Sequence, residues 1–234
     1  MRILAFETSA KAASVALVED GALVAEYFQN SGQTHSRTAT QMAEDLLRNC
    51  DLTPGDVDAA ACAAGPGSFT GVRIGVAAAK GFAWGREVPL FGVSTLEAMA
   101  WNLGPVWDGI VVPAMDARRS QVYTAAFCWE NGAPKRLLAD SALSLQELEE
   151  WLKNQQKPKI LVGDGAVLCY NTFELQSLTL AQEHLRMQRA AGVALAAWAM
   201  AQRGEAPDAG ALTPTYLRLS QAERERLEKE KQVK

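Results

Sequence analysis

The run Gly65 to Gly75 reads G-P-G-S-F-T-G-V-R-I-G and stands between a β-rich segment, Asp58 to Ala64, and a small-residue segment, Val72 to Trp84. No other stretch restricts the fold as strongly. Pro66 fixes its own φ, while Gly65, Gly67 and Gly71 permit positive φ or close backbone approach, so a strand can end here in a sharp reversal. The reversal feeds a helix whose first amides lack partners within the helix. Ser68 or Thr70 can cap it, and the remaining donors can receive an anion or an acceptor from a partner. The same turn also serves simply to cap a helix. Its spacing matches neither the dinucleotide fingerprint G-x-G-x-x-G nor the phosphate-binding G-x-x-x-x-G-K-[ST].

Around this turn the segments fall into an order that occurs twice. Ile3 to Glu7 reads as a buried strand, and Ser14 to Glu19 and Leu23 to Gln29 flank the Asp20-Gly21 turn as a hairpin. Ala39, Met42, Ala43, Leu46, Leu47 and Cys50 recur at helical spacing and predict a helix from Ser36 to Cys50. The strand Asp58 to Ala64 and the helix after the glycine turn complete β-β-β-α-β-α. Ser94 with Glu97 forms a capping box that opens a further helix to Leu103. The second half repeats the layout. A strand runs from Gly109 to Met115, and a hairpin, Gln121 to Trp129 and Lys135 to Ala139, surrounds Asn131-Gly132. A helix capped by Ser144 and Glu147 extends to Gln155, a strand from Lys159 to Val162 meets Gly163-Asp164-Gly165, and Ala190 to Arg203 is helical. The expected organisation is therefore two lobes, 1–104 and 105–219, with the last helix packing back on the first lobe. A charged tail, 220–234, follows and reads as a solvated helix or frayed end.

With 234 residues and 48% hydrophobic content, the chain can bury a substantial core. Lys and Arg number 23 against 27 Asp and Glu, a net charge of -4, so the broad basic surface of a nucleic-acid binder is missing. The four cysteines, Cys50, Cys62, Cys128 and Cys169, form no C-x-x-C pair and fit reduced thiols. Glu7 interrupts the N-terminal apolar run too early for a secretory signal, and no apolar run approaches ~18 residues. A cytoplasmic protein without a membrane partner is expected.

Duplicated β-β-β-α-β-α lobes describe the actin-like ATPase, sugar kinase and Hsp70 fold, an α/β class. At the level of letters the chain resembles the bacterial TsaB (YeaZ) family. The resemblance rests on I-L-A-F-E-T-S at Ile3 to Ser9, S-V-A-L at Ser14 to Leu17, T-H-S-R at Thr34 to Arg37 and the glycine run. G-V-S-T-L at Gly92 to Leu96, D-A-R at Asp116 to Arg118 with Val122-Tyr123, and P-T-Y-L-R at Pro214 to Arg218 extend it along the whole chain. The resemblance implies a role in placing threonylcarbamoyl on adenosine 37 of tRNAs that read ANN codons. It also implies that transfer belongs to a TsaD-like paralogue, with a TsaE-like ATPase as a further partner and tRNA met through the complex. ATP or ADP is then expected only in the assembled complex. Alone, the chain is expected to be able to pair with itself.

The residues bear on that division of labour. The paralogue carries a helical H-x-x-x-H that grips a metal; here the histidines are His35 and His184, and the residue four places after His35 is Ala39. Ser68 lacks the G-x-S-x-G setting of a hydrolase nucleophile. Glu7 and Asp116 end corresponding strands, where kinases of this fold place carboxylates for magnesium and phosphate, and they are the candidate cofactor residues. Capping hydrogen bonds at strand ends are their simpler role. The family usually has Asp where Glu7 stands, and one methylene displaces the carboxylate enough to matter for catalysis. No catalytic residue and no metal ligand is assigned. The helix after the glycine turn is apolar on much of its circumference: it either buries one face on its own sheet and another against a second helix or chain, or lies wholly in the core, and periodicity alone fits both. The resemblance implies that it meets the paralogue in a four-helix contact. The expected contributors are His35, Met42, Leu46, Phe69, Arg73, Gly75, Val76 and Ala79. Two rivals stay open: an ATP-binding enzyme or small-molecule kinase of the actin-like class and, behind it, a metalloprotease.

Overall fold

In the computed structural model, which describes residues 1–205 and 209–218, ten strands form two five-stranded sheets. The first sheet contains β1 (Arg2–Glu7), β2 (Ala13–Glu19), β3 (Ala22–Gln29), β4 (Ala59–Gly65) and β5 (Leu90–Ser94), in the order β3-β2-β1-β4-β5. The second contains β6 (Ile110–Asp116), β7 (Gln121–Glu130), β8 (Ala133–Ser144), β9 (Lys159–Val162) and β10 (Leu178–Leu180), in the order β10-β9-β6-β7-β8. In each sheet an antiparallel meander precedes a strand that returns parallel to the first, β4 beside β1 and β9 beside β6. The repeat read from the sequence is thus a repeat of topology. Both hairpin turns use two left-handed residues, Asp20-Gly21 and Asn131-Gly132, the backbone form that matches the strands' twist.

The alternation of side chains along β1 and β2 assigns the helices to layers. Leu4, Phe6, Val15 and Leu17 face α1 (His35–Asn49) and α2 (Phe69–Arg86), where Met42, Leu46, Val72, Val76 and Ala79 complete the core. The opposite face, Ile3, Ala5, Ala16 and Val18, packs on α7 (Ala190–Gln202), whose alanines admit close approach to the sheet. Although α7 comes last in the described chain order, it covers the first sheet. Between the sheets, α3 (Thr95–Leu103) gives Ala98 to that core, while Leu96, Met99 and Leu103 pack on Val111, Met115 and Phe127. The outer face of the second sheet is covered by α4 (Leu145–Lys153) and α5 (Ala166–Thr172); the short α6 (Glu183–Arg186) lies before α7.

Several expectations are corrected. The run Leu90–Ser94 forms β5, an edge strand not anticipated, and α5, α6 and β10 also appear where no element was expected. α2 begins at Phe69, with Ser68, one of the two expected caps, accepting a hydrogen bond from the Gly71 amide. The second half of the capping box at Ser94 is absent: Ser94 accepts from the Glu97 amide, but the Glu97 carboxylate is taken by Arg136 at 2.9 Å. At Ser144 and Glu147 the box is complete. The tail 220–234 lies outside the described residues.

Candidate functional site

The glycine turn is explained first by what lies against it. A Cβ at Gly67 would come within 2.5 Å of the Ser9 carbonyl oxygen, one at Gly75 within 2.5 Å of Thr8 Oγ1, and one at Gly71 would overlap the Thr8 carbonyl. Gly71 and Gly75, about one turn apart on α2, and Gly67, in the turn before it, together form a track that receives the backbone following β1. The Thr8 hydroxyl donates to the Gly71 carbonyl at 2.7 Å, and the Ser68 amide donates to the Ser9 carbonyl at 2.7 Å. The second half uses the same device, since a Cβ at Gly163 would overlap the Ala114 carbonyl.

Beyond the track lies a cleft of about 520 Å³ between the two sheets, lined among others by Ser9, Lys11, Asp116, Arg118, Tyr216 and Arg218. Glu7 is not in its wall. It is buried, its carboxylate accepts the Ser9 amide at 2.6 Å, and burial pushes its carboxyl up to about 7, with the Asp164 charge adding to the rise. Asp116 instead stands at the rim, accepting the Arg118 amide at 2.7 Å and its guanidinium at 3.4 Å. Asp164 is likewise raised by burial and is held by the Gln188 side-chain amide at 2.8 Å. The two expected cofactor carboxylates therefore differ in setting: Glu7 lies sealed beneath Ser9, and only Asp116 reaches the cavity. Among the described residues no three His, Cys, Asp or Glu side chains are grouped to hold a metal ion.

The expected interface residues separate into two groups. Met42, Leu46, Gly75, Val76 and Ala79 are corrected to core positions, buried between α1, α2 and the first sheet. Their regular spacing reports packing on the chain's own strands. Phe69 and Arg73 remain on the outer side of α2, where Arg73 lies 3.7 Å from the Phe69 ring centroid and donates to the Tyr216 hydroxyl at 2.8 Å. His35 opens α1 half-buried, with Nε2 2.8 Å from the Ala10 carbonyl oxygen, and so ties the helix start to the turn after β1.

A different set of residues forms the open apolar surface. α1 and α2 bound a groove of about 520 Å³ whose accessible lining includes Leu52, Ala77, Ala78, Gly81 and Phe82 beside Thr40, Glu44 and Arg48, with the core residues Ala43 and Leu47 also reaching it. Near the end of α2 Trp84 is 86% exposed. The helical spacing of Ala77, Gly81 and Trp84 signalled this stripe, but periodicity alone did not say which side of an all-round apolar helix faces outward.

Comparison with known proteins follows the same lines. The family model described as TsaD, tRNA N6-adenosine threonylcarbamoyltransferase, matches residues 29–225. The Bacillus subtilis (strain 168) tRNA threonylcarbamoyladenosine biosynthesis protein TsaB is 36% identical, over 99% of this chain and 100% of its own length. The solved structure of YeaZ from Pseudomonas aeruginosa superposes with a TM-score of 0.78 at 25% identity, over 92% of this chain and 99% of that one. A component A of (R)-2-hydroxyglutaryl-CoA dehydratase from Acidaminococcus fermentans, at 12% identity and a TM-score of 0.51, covers 86% of this chain and 99% of its own and shares the fold alone. The fold is the actin-like ATPase fold that the duplicated layout led us to expect.

Proposed function

The chain belongs to the TsaB (YeaZ) family, and on that premise we propose that it is the non-catalytic scaffold subunit in formation of threonylcarbamoyl-adenosine 37 on tRNAs reading ANN codons. In this reading it docks a TsaD-like paralogue through the outer faces of α1 and α2, activates it, and helps recruit a TsaE-like ATPase. It meets tRNA through the complex. ATP or ADP belongs to the assembly rather than to the isolated chain, which pairs with itself through the same face when no partner is present.

The observation that carries the reading is the groove between α1 and α2. Its α2 wall is small or apolar at Ala77, Ala78, Gly81 and Phe82, which lets another pair of helices approach closely, and Trp84, exposed further along the same helix, provides a large anchor. The sequence supports the lack of catalysis from another side, because Ala39 occupies the position where an i+4 partner for His35 would hold metal. The test is co-purification with the paralogue followed by a tRNA modification assay with each component omitted. Modified tRNA should require both proteins. Product made by this chain without the paralogue would overturn the assignment.

A further inference from the structure

Residues 209–218 lie on the first sheet's side of the molecule on a prepared seat. Leu212 packs where Gly92 has no side chain, the Lys80 ammonium donates to the Gly210 carbonyl at 3.3 Å, and the Thr215 amide donates to the Ala64 carbonyl at 2.7 Å. Gly65, at φ +111°, leaves room for the Thr215 carbonyl, which any Cβ there would overlap. Tyr216 stacks on Phe69 with ring centroids 4.9 Å apart, and its hydroxyl accepts from Arg73. Two residues later the segment crosses to the second sheet, where the Arg218 guanidinium donates to the Ala117 carbonyl at 2.6 Å.

The structure that receives Arg218 is unusual. Arg118, Arg119 and Ser120, in the turn from β6 to β7, have φ of 65°, 57° and 56°, three consecutive left-handed residues without a glycine among them. L side chains disfavour that conformation, so the surroundings must hold it. The Asp116 carboxylate accepts the Arg118 amide, the Leu145 amide donates to the Ser120 carbonyl at 3.2 Å, and Arg218 supplies the contact that comes from outside the second sheet and its helices. Both Tyr216 and Arg218 also line the cleft.

We propose that residues 209–218 form a latch that ties the two sheets across the cleft and holds the turn 117–121 in its left-handed form. Tyr216 sets the position of the strap on α2, and Arg218 transmits that position to Ala117. Arg118 and Arg119, carried by the turn, are thereby linked to the outer side of α2 at Arg73. The latch is built from contacts within the chain and stands whether or not α2 docks a partner.

The test is hydrogen exchange, read by mass spectrometry on the full chain, for Tyr216→Ala, Arg218→Gln and the double variant. Each single change should speed exchange of the amides in 117–121 by roughly tenfold or more, as expected when a charge-assisted hydrogen bond is lost, while β9 and α4 keep their rates. The double variant should exchange no faster there than the faster single one, because both residues act through one contact. Unchanged rates in 117–121 overturn the latch, and so do effects of the singles that multiply in the double. If Tyr216→Ala fails to fold, Arg218→Gln alone decides.

Discussion

Replacing Gly81 with leucine separates packing within the chain from packing against a partner. Gly81 lies inside α2, and a Cβ built on it meets nothing within 4 Å, so the fold has space for the new side chain. Leucine, ranked just below alanine, is a better helix former than glycine by somewhat less than ~1 kcal/mol, which for a chain of this size raises Tm by roughly 2–3 °C. At a helix–helix contact the same side chain holds the incoming helix away, and overpacking typically costs about 1–3 kcal/mol, roughly 5- to 150-fold in affinity. The isolated variant should thus melt higher and bind the TsaD-like paralogue more weakly. Gly75→Leu should behave oppositely: its Cβ alone would meet Thr8 Oγ1 at 2.5 Å, so the variant loses stability before any partner is present. Scanning fluorimetry of each isolated variant and calorimetric titration with the paralogue provide the two readings. Wild-type affinity in a stable Gly81→Leu variant would refute docking on this face, and a Gly75→Leu variant that melts at the wild-type temperature would refute the glycine track.

Glu7 should impose a pH dependence on stability. Its carboxyl is raised from 4.5 to about 7, so the folded chain keeps a proton that the unfolded chain releases as pH rises through this window. Stability is therefore lost between those values, of order 3 kcal/mol when the loss is complete. Glu7→Gln should match wild type near pH 4 and exceed it at pH 8 in urea unfolding; parallel curves across that range would remove the argument. Glu26, on β3 with its side chain only 4% exposed, accepts from the Arg189 guanidinium at 2.9 Å through Nε and from the Ala191 amide at 3.1 Å, fastening the start of α7. Glu26→Ala should cost about 2–3 kcal/mol, a Tm drop of roughly 5–10 °C, with partner affinity unchanged once folded. A loss of affinity without a loss of stability would place the partner on α7 instead. Isothermal calorimetry of the isolated chain with magnesium and ATP should give no saturable heat, since Glu7 is sealed from the cleft; stoichiometric binding abolished by Glu7→Ala would favour the kinase reading.

What the sequence disclosed of the fold followed from local signals. Asp20-Gly21 and Asn131-Gly132 marked the hairpins because two left-handed residues are needed there, and Ser144 with Glu147 marked a helix start because the cap is made entirely of local partners. β5 escaped because Pro89 precedes it and Gly92 interrupts a five-residue run, leaving too little alternation to separate a strand from a loop. α5 escaped because Gly165 starts it without a side-chain cap. β8 runs on to Ser144, past the expected end at Ala139, through register shifts against β7 that no turn residue announces.

The site was harder to read for a related reason. Gly67, Gly71 and Gly75 announce that something approaches closely, but the approaching atoms belong to Thr8 and Ser9, far back in the chain, and those of the strap at Gly65 and Gly92 lie far ahead. Small residues specify an approach without specifying its object. For the same reason Met42, Leu46, Val76 and Ala79 were expected at a partner interface: a helix packing on its own sheet and one packing on another chain select similar apolar residues. The distinction comes from the sheet. Once Leu4, Phe6, Val15 and Leu17 have taken the inner faces of α1 and α2, those residues are spent on the fold, and Ala77, Gly81 and Trp84 remain on the side that another chain can reach.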